Sequence, residues 1–152
     1  MGRRFRSMLV AILVAAAALT ATASPALATV WDVSRLPGGV LRGHVSNTTT
    51  TTFTVTNGSG TKVGKVVKAT SGGWKVFRGT TKIALAKRNG TTAYPVNLYD
   101  LSGTRIARCR LVRGAWWVER DYGNGLKQDL ASVPKGCSAR AAIGAVRLVD
   151  WR

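Results

Sequence analysis

The chain is 152 residues long, with 23 Lys and Arg against six Asp and Glu, one His and two Cys, and a formal net charge of +17. Two Cys and one His cannot fill a four-ligand metal site, so no metal is expected. A Ser-His-Asp or Cys-His enzyme would have to hang on His44 alone. Five Trp and many Val and Thr exclude a disordered polycation.

Residues 1–28 read as a secretory signal peptide: a cationic start (Arg3, Arg4, Arg6), an apolar run from Met8 to Leu19, and the small residues Ala26 and Ala28 at a cleavage site. Cleavage after Ala28 leaves one domain over residues 29–152, with 20 cations against six acids and a charge of +14. The predicted address is extracellular, in a bacterial style of leader. In an oxidising compartment Cys109 and Cys137 are expected to form a disulfide. Closing that 28-residue loop is worth about 3.5 kcal/mol.

Strand and turn signals follow in order. Trp31 to Val33 and Val40 to Val45 flank Pro37-Gly38-Gly39. A five-Thr run, Thr48 to Thr52, leads into Phe53 to Thr56, where apolar and Thr residues alternate, and Asn57-Gly58 turns the chain. Gly60-Thr61-Lys62-Val63-Gly64-Lys65 is echoed by Gly103-Thr104-Arg105-Ile106-Ala107-Arg108, offset by about 43 residues. Each copy is followed by W-x-V-x-R, at Trp74 to Arg78 and Trp116 to Arg120, so each unit reads as a β-hairpin. A shorter echo starts at Gly79.

Pro95 predicts that the Tyr94–Tyr99 strand lies at an edge or a bulge. Leu126, Leu130 and Val133 have helical spacing ended by Pro134. Ser138 to Val149 fits a helix or a strand, and a short helix followed by a last strand at Val146–Trp151 is expected. The sum is an all-β domain of about eight or nine short antiparallel strands, a barrel or a sandwich, with one disulfide and a short helix near the C-terminus. The strand and turn from Tyr94 to Gly103 loosely resemble those of tubby-like and scramblase-like β-barrels. That pattern is generic to β-hairpins and identifies no family.

Ten cations and no acid lie between Asp32 and Asp100, and four arginines fall between Leu101 and Val118. Lys62, Lys65, Lys68, Arg105, Arg108, Arg110 and Arg113 are therefore expected to form an outward cationic band. Such a band attracts polyanions: a cell-wall polymer, an anionic membrane surface or nucleic acid. Trp74 and Trp116 share a repeat position and are expected in the core. Trp117 faces the other way and is the candidate exposed aromatic for stacking.

The leading expectation is a non-enzymatic binding module that needs no cofactor. One alternative is a ribonuclease-like hydrolase using His44 and Glu119. The other is an exported inhibitor whose protein partner meets a loop such as Arg120 to Gly123.

Overall fold

The computed structural model describes residues 28–151, so the signal-peptide segment lies outside the described residues except for Ala28. Ten strands run in chain order: β1 (Val30–Arg35), β2 (Val40–Thr49), β3 (Thr52–Asn57), β4 (Lys62–Lys68), β5 (Trp74–Arg78), β6 (Thr81–Arg88), β7 (Val96–Tyr99), β8 (Arg105–Val112), β9 (Ala115–Asp121) and β10 (Lys127–Pro134). Each pairs antiparallel with its chain neighbours, and β1 pairs with β10, closing the sheet into a barrel. One helix follows, α1 (Ala139–Val149).

Three odd strands share one inward pattern, and β3 keeps part of it. β1, β5 and β9 each carry W-x-V-x-R, as Trp31-Val33-Arg35, Trp74-Val76-Arg78 and Trp116-Val118-Arg120; β3 carries Phe53-Val55-Asn57. The central valines are fully buried. Because side chains alternate faces, the aromatic and the arginine of each strand lie on the valine's side, at opposite ends of the barrel. Trp31, Phe53 and Trp74 meet in sequence there, with ring centroids 6.3 and 5.4 Å apart.

The even strands share a second pattern. In each, the register slips by one residue, and the extra residue is followed by a small one: Arg42-Gly43, Val63-Gly64, Ile83-Ala84, Ile106-Ala107 and Leu130-Ala131. Such bulges bend a strand and raise its twist, as closing a sheet requires. The small residues also make room inside. A Cβ on Gly64 would lie 2.8 Å from a Leu148 methyl, and one on Gly43 would lie 3.0 Å from Val149.

The room is taken by α1, which touches all ten strands. An eight-stranded barrel is filled by its own side chains; ten strands leave a wider bore. Ala141, Ala142, Ile143, Gly144, Ala145, Val146 and Leu148 are all buried. Only Arg140 and Arg147, seven residues apart on one side, interrupt this apolar surface, and burying Ile143, Val146 and Leu148 contributes about 1.5–3 kcal/mol each. The small residues of α1 keep it narrow: a Cβ on Gly144 would come within 2.7 Å of Val66 and 3.1 Å of Val76. The helix enters at the aromatic end, where Trp116 Nε1 donates to the Cys137 carbonyl at 2.8 Å. It leaves at the arginine end.

Several expectations are corrected. There are ten strands rather than eight or nine, closed as a barrel. No last strand forms at Val146–Trp151, because those residues continue α1 through the bore to Val149. The helical spacing of Leu126, Leu130 and Val133 is a coincidence of strand and bulge: Lys127–Pro134 is β10, and Leu130 is its extra residue. Pro95 does not mark an edge, because β7 begins one residue later and pairs on both sides. The expected disulfide is absent: Cys109 and Cys137 are free thiols buried at the aromatic end of α1. Cys109 Sγ faces the Ala139 carbonyl at 3.9 Å and Cys137 Sγ the Ser138 carbonyl at 3.6 Å, as weak thiol donors. Burial pushes both pKa values up to about 12.

The internal echo is structural. Asn57 Oδ1 accepts from Ser59 N, Ser59 Oγ and Thr61 N at 3.1, 2.7 and 2.9 Å. Asp100 Oδ1 accepts from Ser102 N, Ser102 Oγ and Thr104 N at 2.9, 2.6 and 2.9 Å. Gly60 and Gly103 close these turns at φ 82° and 87°, a region glycine enters without strain.

Candidate anion-binding surfaces

The seven cations of the expected band lie on two walls. Lys62, Lys65 and Lys68 are on β4; Arg105, Arg108 and Arg110 are on β8, four strands away in a barrel of ten. Two-fifths of the circumference separates them.

The β8 arginines are largely spent on neighbours. Arg105 pairs with Asp121 at 2.8 Å, Arg108 with Glu119 at 2.7 Å and Arg110 with Asp129 at 2.9 Å. Arg108 also lies 3.6 Å from the centroid of Tyr94, so its guanidinium is held between a carboxylate and an aromatic face. Arg113 is the exposed tip of the β8–β9 turn. Its φ of 48°, followed by 80° at Gly114, is the geometry of a two-residue hairpin matched to sheet twist.

The β4 side differs. β4, β5 and β6 are adjacent and contain no acid. Lys65 lies beside Thr54 and Phe77, Lys75 beside Val67 and Leu85, Lys82 beside Phe77, and Lys87 beside Asn97. These rows face outward, since the intervening Val66, Val76, Ala84 and Ala86 are buried. Lys62 joins them through the β4 bulge, and Lys68 and Arg88 stand exposed at the strand ends. Lys65 Nζ lies 5.5 Å from the Phe77 centroid and Lys87 Nζ 5.6 Å from that of Tyr99. No ion pair involves these lysines among the described residues. On the far side of β4, Thr52, Thr54 and Thr56 extend the wall without charge.

The tryptophans divide as their alternation requires. Trp74 is buried and Trp116 packs against the core. Trp117 does turn outward, but it is half-buried rather than exposed, 5.8 Å below the Arg110 guanidinium.

The residues of the hydrolase alternative stand apart. His44 Nδ1 is 2.8 Å from Asp32 Oδ1 across β1 and β2. Glu119 is on β9, three strand spacings from β2, or roughly 14 Å. No group of three or more His, Cys, Asp or Glu suited to a metal forms among the described residues.

One constellation escapes a linear reading. The arginines that end the W-x-V-x-R strands converge where α1 leaves the barrel. Arg35 Nε is 4.0 Å and Arg42 Nε 3.1 Å from Asp150 Oδ1. Arg78 donates to the Leu148 carbonyl at 3.5 Å. Arg120 and Arg147 lie 4.8 and 4.9 Å from the Trp151 centroid. Burial, then the charges of Arg78 and Arg120, pull the Arg147 pKa below its usual value. The signal for this cluster is present in the repeat, which puts Val and Arg on one face, but only closure of the barrel shows that the faces meet.

Comparison with protein-family models, curated proteins and solved structures finds no match for this chain.

Proposed function

We propose that this protein is a non-enzymatic binding module, exported after loss of its leader, that holds a linear polyanion against the wall formed by β4, β5 and β6. The observation that carries the reading is the segregation of charge. Among the described residues, every ion pair that includes Lys or Arg lies on β8–β10, or joins β1 and β2 to Asp150. The β4–β6 wall keeps Lys62, Lys65, Lys75, Lys82 and Lys87 without an acid. Unpaired lysines on adjacent strands focus a positive potential and raise the encounter rate of an anionic chain. The wall also offers Phe77, Leu85 and Tyr99 between the lysines, apolar surface for the non-ionic parts of a polymer. A cell-wall polyphosphate, nucleic acid and an anionic lipid surface all present the repeated charge this wall would meet.

Two variants of equal net charge test the reading. One carries Lys65→Glu, Lys75→Glu and Lys82→Glu; the other carries Arg113→Glu, Lys127→Glu and Lys135→Glu. On a heparin column the first is expected to elute at clearly lower salt than the second. With a single-stranded nucleic acid, the salt dependence of its affinity falls by about 0.7 in the log–log slope for each phosphate it no longer neutralises. Co-elution of the two variants refutes the wall as the binding face.

A further inference from the structure

We infer that the arginine-lined mouth of the barrel is a separate site for a phosphate ester of a small polyol. The site does not depend on the lysine wall, which lies on the outer surface.

Where α1 ends, a pocket of about 190 Å³ opens between Arg35, Arg42, Arg120, Tyr122, Gln128 and Asp150. Arg35 and Arg42 face one carboxylate there, and Arg78, Arg120 and Arg147 stand at the same mouth. Arg35 and Arg42 share that one carboxylate, Arg78 and Arg147 add two further charges, and the helix C-terminus supplies roughly half a negative charge. These four arginines alone leave the mouth positive, and like charges this close favour an anion between them. Aromatic faces hold two of the guanidinium planes: Tyr122 lies 4.7 Å and Trp151 4.8 Å from Arg120, and Trp151 also backs Arg147. Guanidiniums stacked in this way give up less freedom on binding an oxyanion than free side chains do.

Two orphaned groups define the ligand further. Arg42 Nε–H and Asp150 Oδ2 are both buried, and neither has a hydrogen-bond partner among the described residues. The Asp150 side chain is only 6% exposed. Arg42 Nε is 3.1 Å from Asp150 Oδ1, yet its N–H is not directed along that line, so the two form an ion pair without a hydrogen bond. A buried donor and a buried acceptor side by side are costly unless something meets both. The complement is a ligand with an anionic oxygen for Arg42 and a hydroxyl for Asp150. A pocket of this volume takes more than one phosphate group, since a water's share of liquid volume is about 30 Å³. A phosphate joined to a short hydroxylated chain fits both the volume and the polarity. Glycerol phosphate is the simplest such unit, whether free or at the end of a polymer.

Arg42 itself breaks a pattern in favour of this site. Four of the five bulge residues are apolar: Val63, Ile83, Ile106 and Leu130. Only on β2 does the bulge carry a charge, and it turns that charge into the mouth.

Isothermal titration calorimetry on the purified protein at low ionic strength tests the assignment, with glycerol 3-phosphate, sulfate and glycerol as probes. Saturable one-to-one binding of glycerol 3-phosphate is expected, with sulfate weaker and glycerol silent. Arg42→Lys keeps the charge but loses the Nε–H and is expected to weaken binding on the order of tenfold. Asp150→Asn is expected to remove the preference for glycerol 3-phosphate over sulfate. Circular dichroism confirms that both variants fold, and Arg120→Gln, also expected to weaken binding, provides a second check should either fail to. The Lys65→Glu, Lys75→Glu, Lys82→Glu protein is expected to bind glycerol 3-phosphate as well as the wild type. No saturable binding by the wild type, or binding undiminished in both Arg42→Lys and Arg120→Gln, overturns the site. Sulfate binding as tightly as glycerol 3-phosphate overturns the polyol assignment. Equal heparin elution of the two charge-matched variants, with glycerol 3-phosphate binding intact, refutes the wall alone.

Discussion

Gly144→Ala tests whether α1 fills the bore as closely as its surroundings imply. On an exposed helix this change stabilises by about 0.5–1 kcal/mol, since glycine loses more backbone entropy on folding. Here the new methyl would lie 2.7 Å from one Val66 methyl and 3.1 Å from the other, with a Val76 methyl also at 3.1 Å. Both valines are fully buried, and a β-branched side chain has little rotational freedom with which to give way. Overpacking of this kind costs about 1–3 kcal/mol, so the expected net effect is a loss of about 1–2 kcal/mol. Val66→Ala alone is expected to cost about 2 kcal/mol through the cavity it leaves. The double variant puts a methyl into that cavity, so the two losses should fall short of their sum by about 1 kcal/mol or more. Urea unfolding followed by tryptophan fluorescence measures all four corners of the cycle; with a slope of about 1.5 kcal/mol per molar, each kcal/mol moves the midpoint by about 0.7 M. A stabilising Gly144→Ala, or strict additivity, refutes the close seating of the helix.

Four further outcomes follow from the same geometry. Cys109 and Cys137, with thiol pKa values raised to about 12 by burial, are expected to resist a thiol reagent at pH 8 in the native protein and to react together once it is denatured in guanidinium. Asp100 is held below the usual carboxylate range by the Ser102 hydroxyl and then by the Thr104 N–H, and Asp121 by Arg105 and then by the Gly123 N–H. The stability each gives is full above its unfolded pKa of about 3.8 and is lost as pH falls through the lower folded value. Asp100→Asn copies the working turn at Asn57, so melting at pH 7 should hardly change while the loss of stability below pH 4 becomes shallower. Arg108→Ala leaves Glu119, which is 7% exposed, without its partner; a loss of about 3 kcal/mol is expected in urea unfolding, with heparin retention falling no more than for one exposed charge. Arg42→Leu restores the apolar bulge but leaves the buried Asp150 with only the more distant Arg35, so it should destabilise by about 1–3 kcal/mol, and a second change, Asp150→Asn, should recover most of that. A double variant as unstable as Arg42→Leu would mean that the arginine serves the fold itself.

Much of the fold is legible in the sequence because strands and turns are local. Alternation places Phe53 and Val55 on one side, and the Gly60 and Gly103 echoes mark turns with the same hydrogen bonds. The helix is harder to read. Within Ser138 to Val149, Ala142, Val146 and Val149 fit a helix while Val146-Arg147-Leu148 alternates as a strand does, so the pattern leaves both open. Only a bore wide enough to accept it decides the matter. The disulfide expectation rests on compartment rather than geometry, and the structure gives both thiols to the core. The cationic band fails as a single surface for a similar reason. Strand pairing decides which cations become neighbours, and acids on β9 and β10 reach the β8 arginines while none reaches β4. Trp31-Asp32-Val33-Ser34-Arg35 repeats the W-x-V-x-R motif a third time and marks a third inward arginine, but that the three meet at one mouth follows only from the closed barrel.

The architecture explains why the two surfaces can differ in task. Each odd strand with a W-x-V-x-R motif gives its inward aromatic to the end where the helix enters and its inward arginine to the end where it leaves. The aromatic end is closed by apolar burial and by the Trp116–Cys137 hydrogen bond, so the helix needs nothing from the opposite end to be seated there. At the exit, Arg78 on the Leu148 carbonyl already serves the helix terminus, a role that one cation near the last turn can fill. Arg35, Arg42 and Arg120 exceed that need. Cations gathered at a single opening repel one another, and in a stability account they are a cost that the barrel has to offset elsewhere. Retaining them beside an acid with a free buried oxygen is what a receptor for an anion with a hydroxyl requires. The lysines of β4–β6 meet no such geometric demand: they stand on a broad, solvated sheet face, suited to a ligand recognised by its repeated charge rather than by its shape.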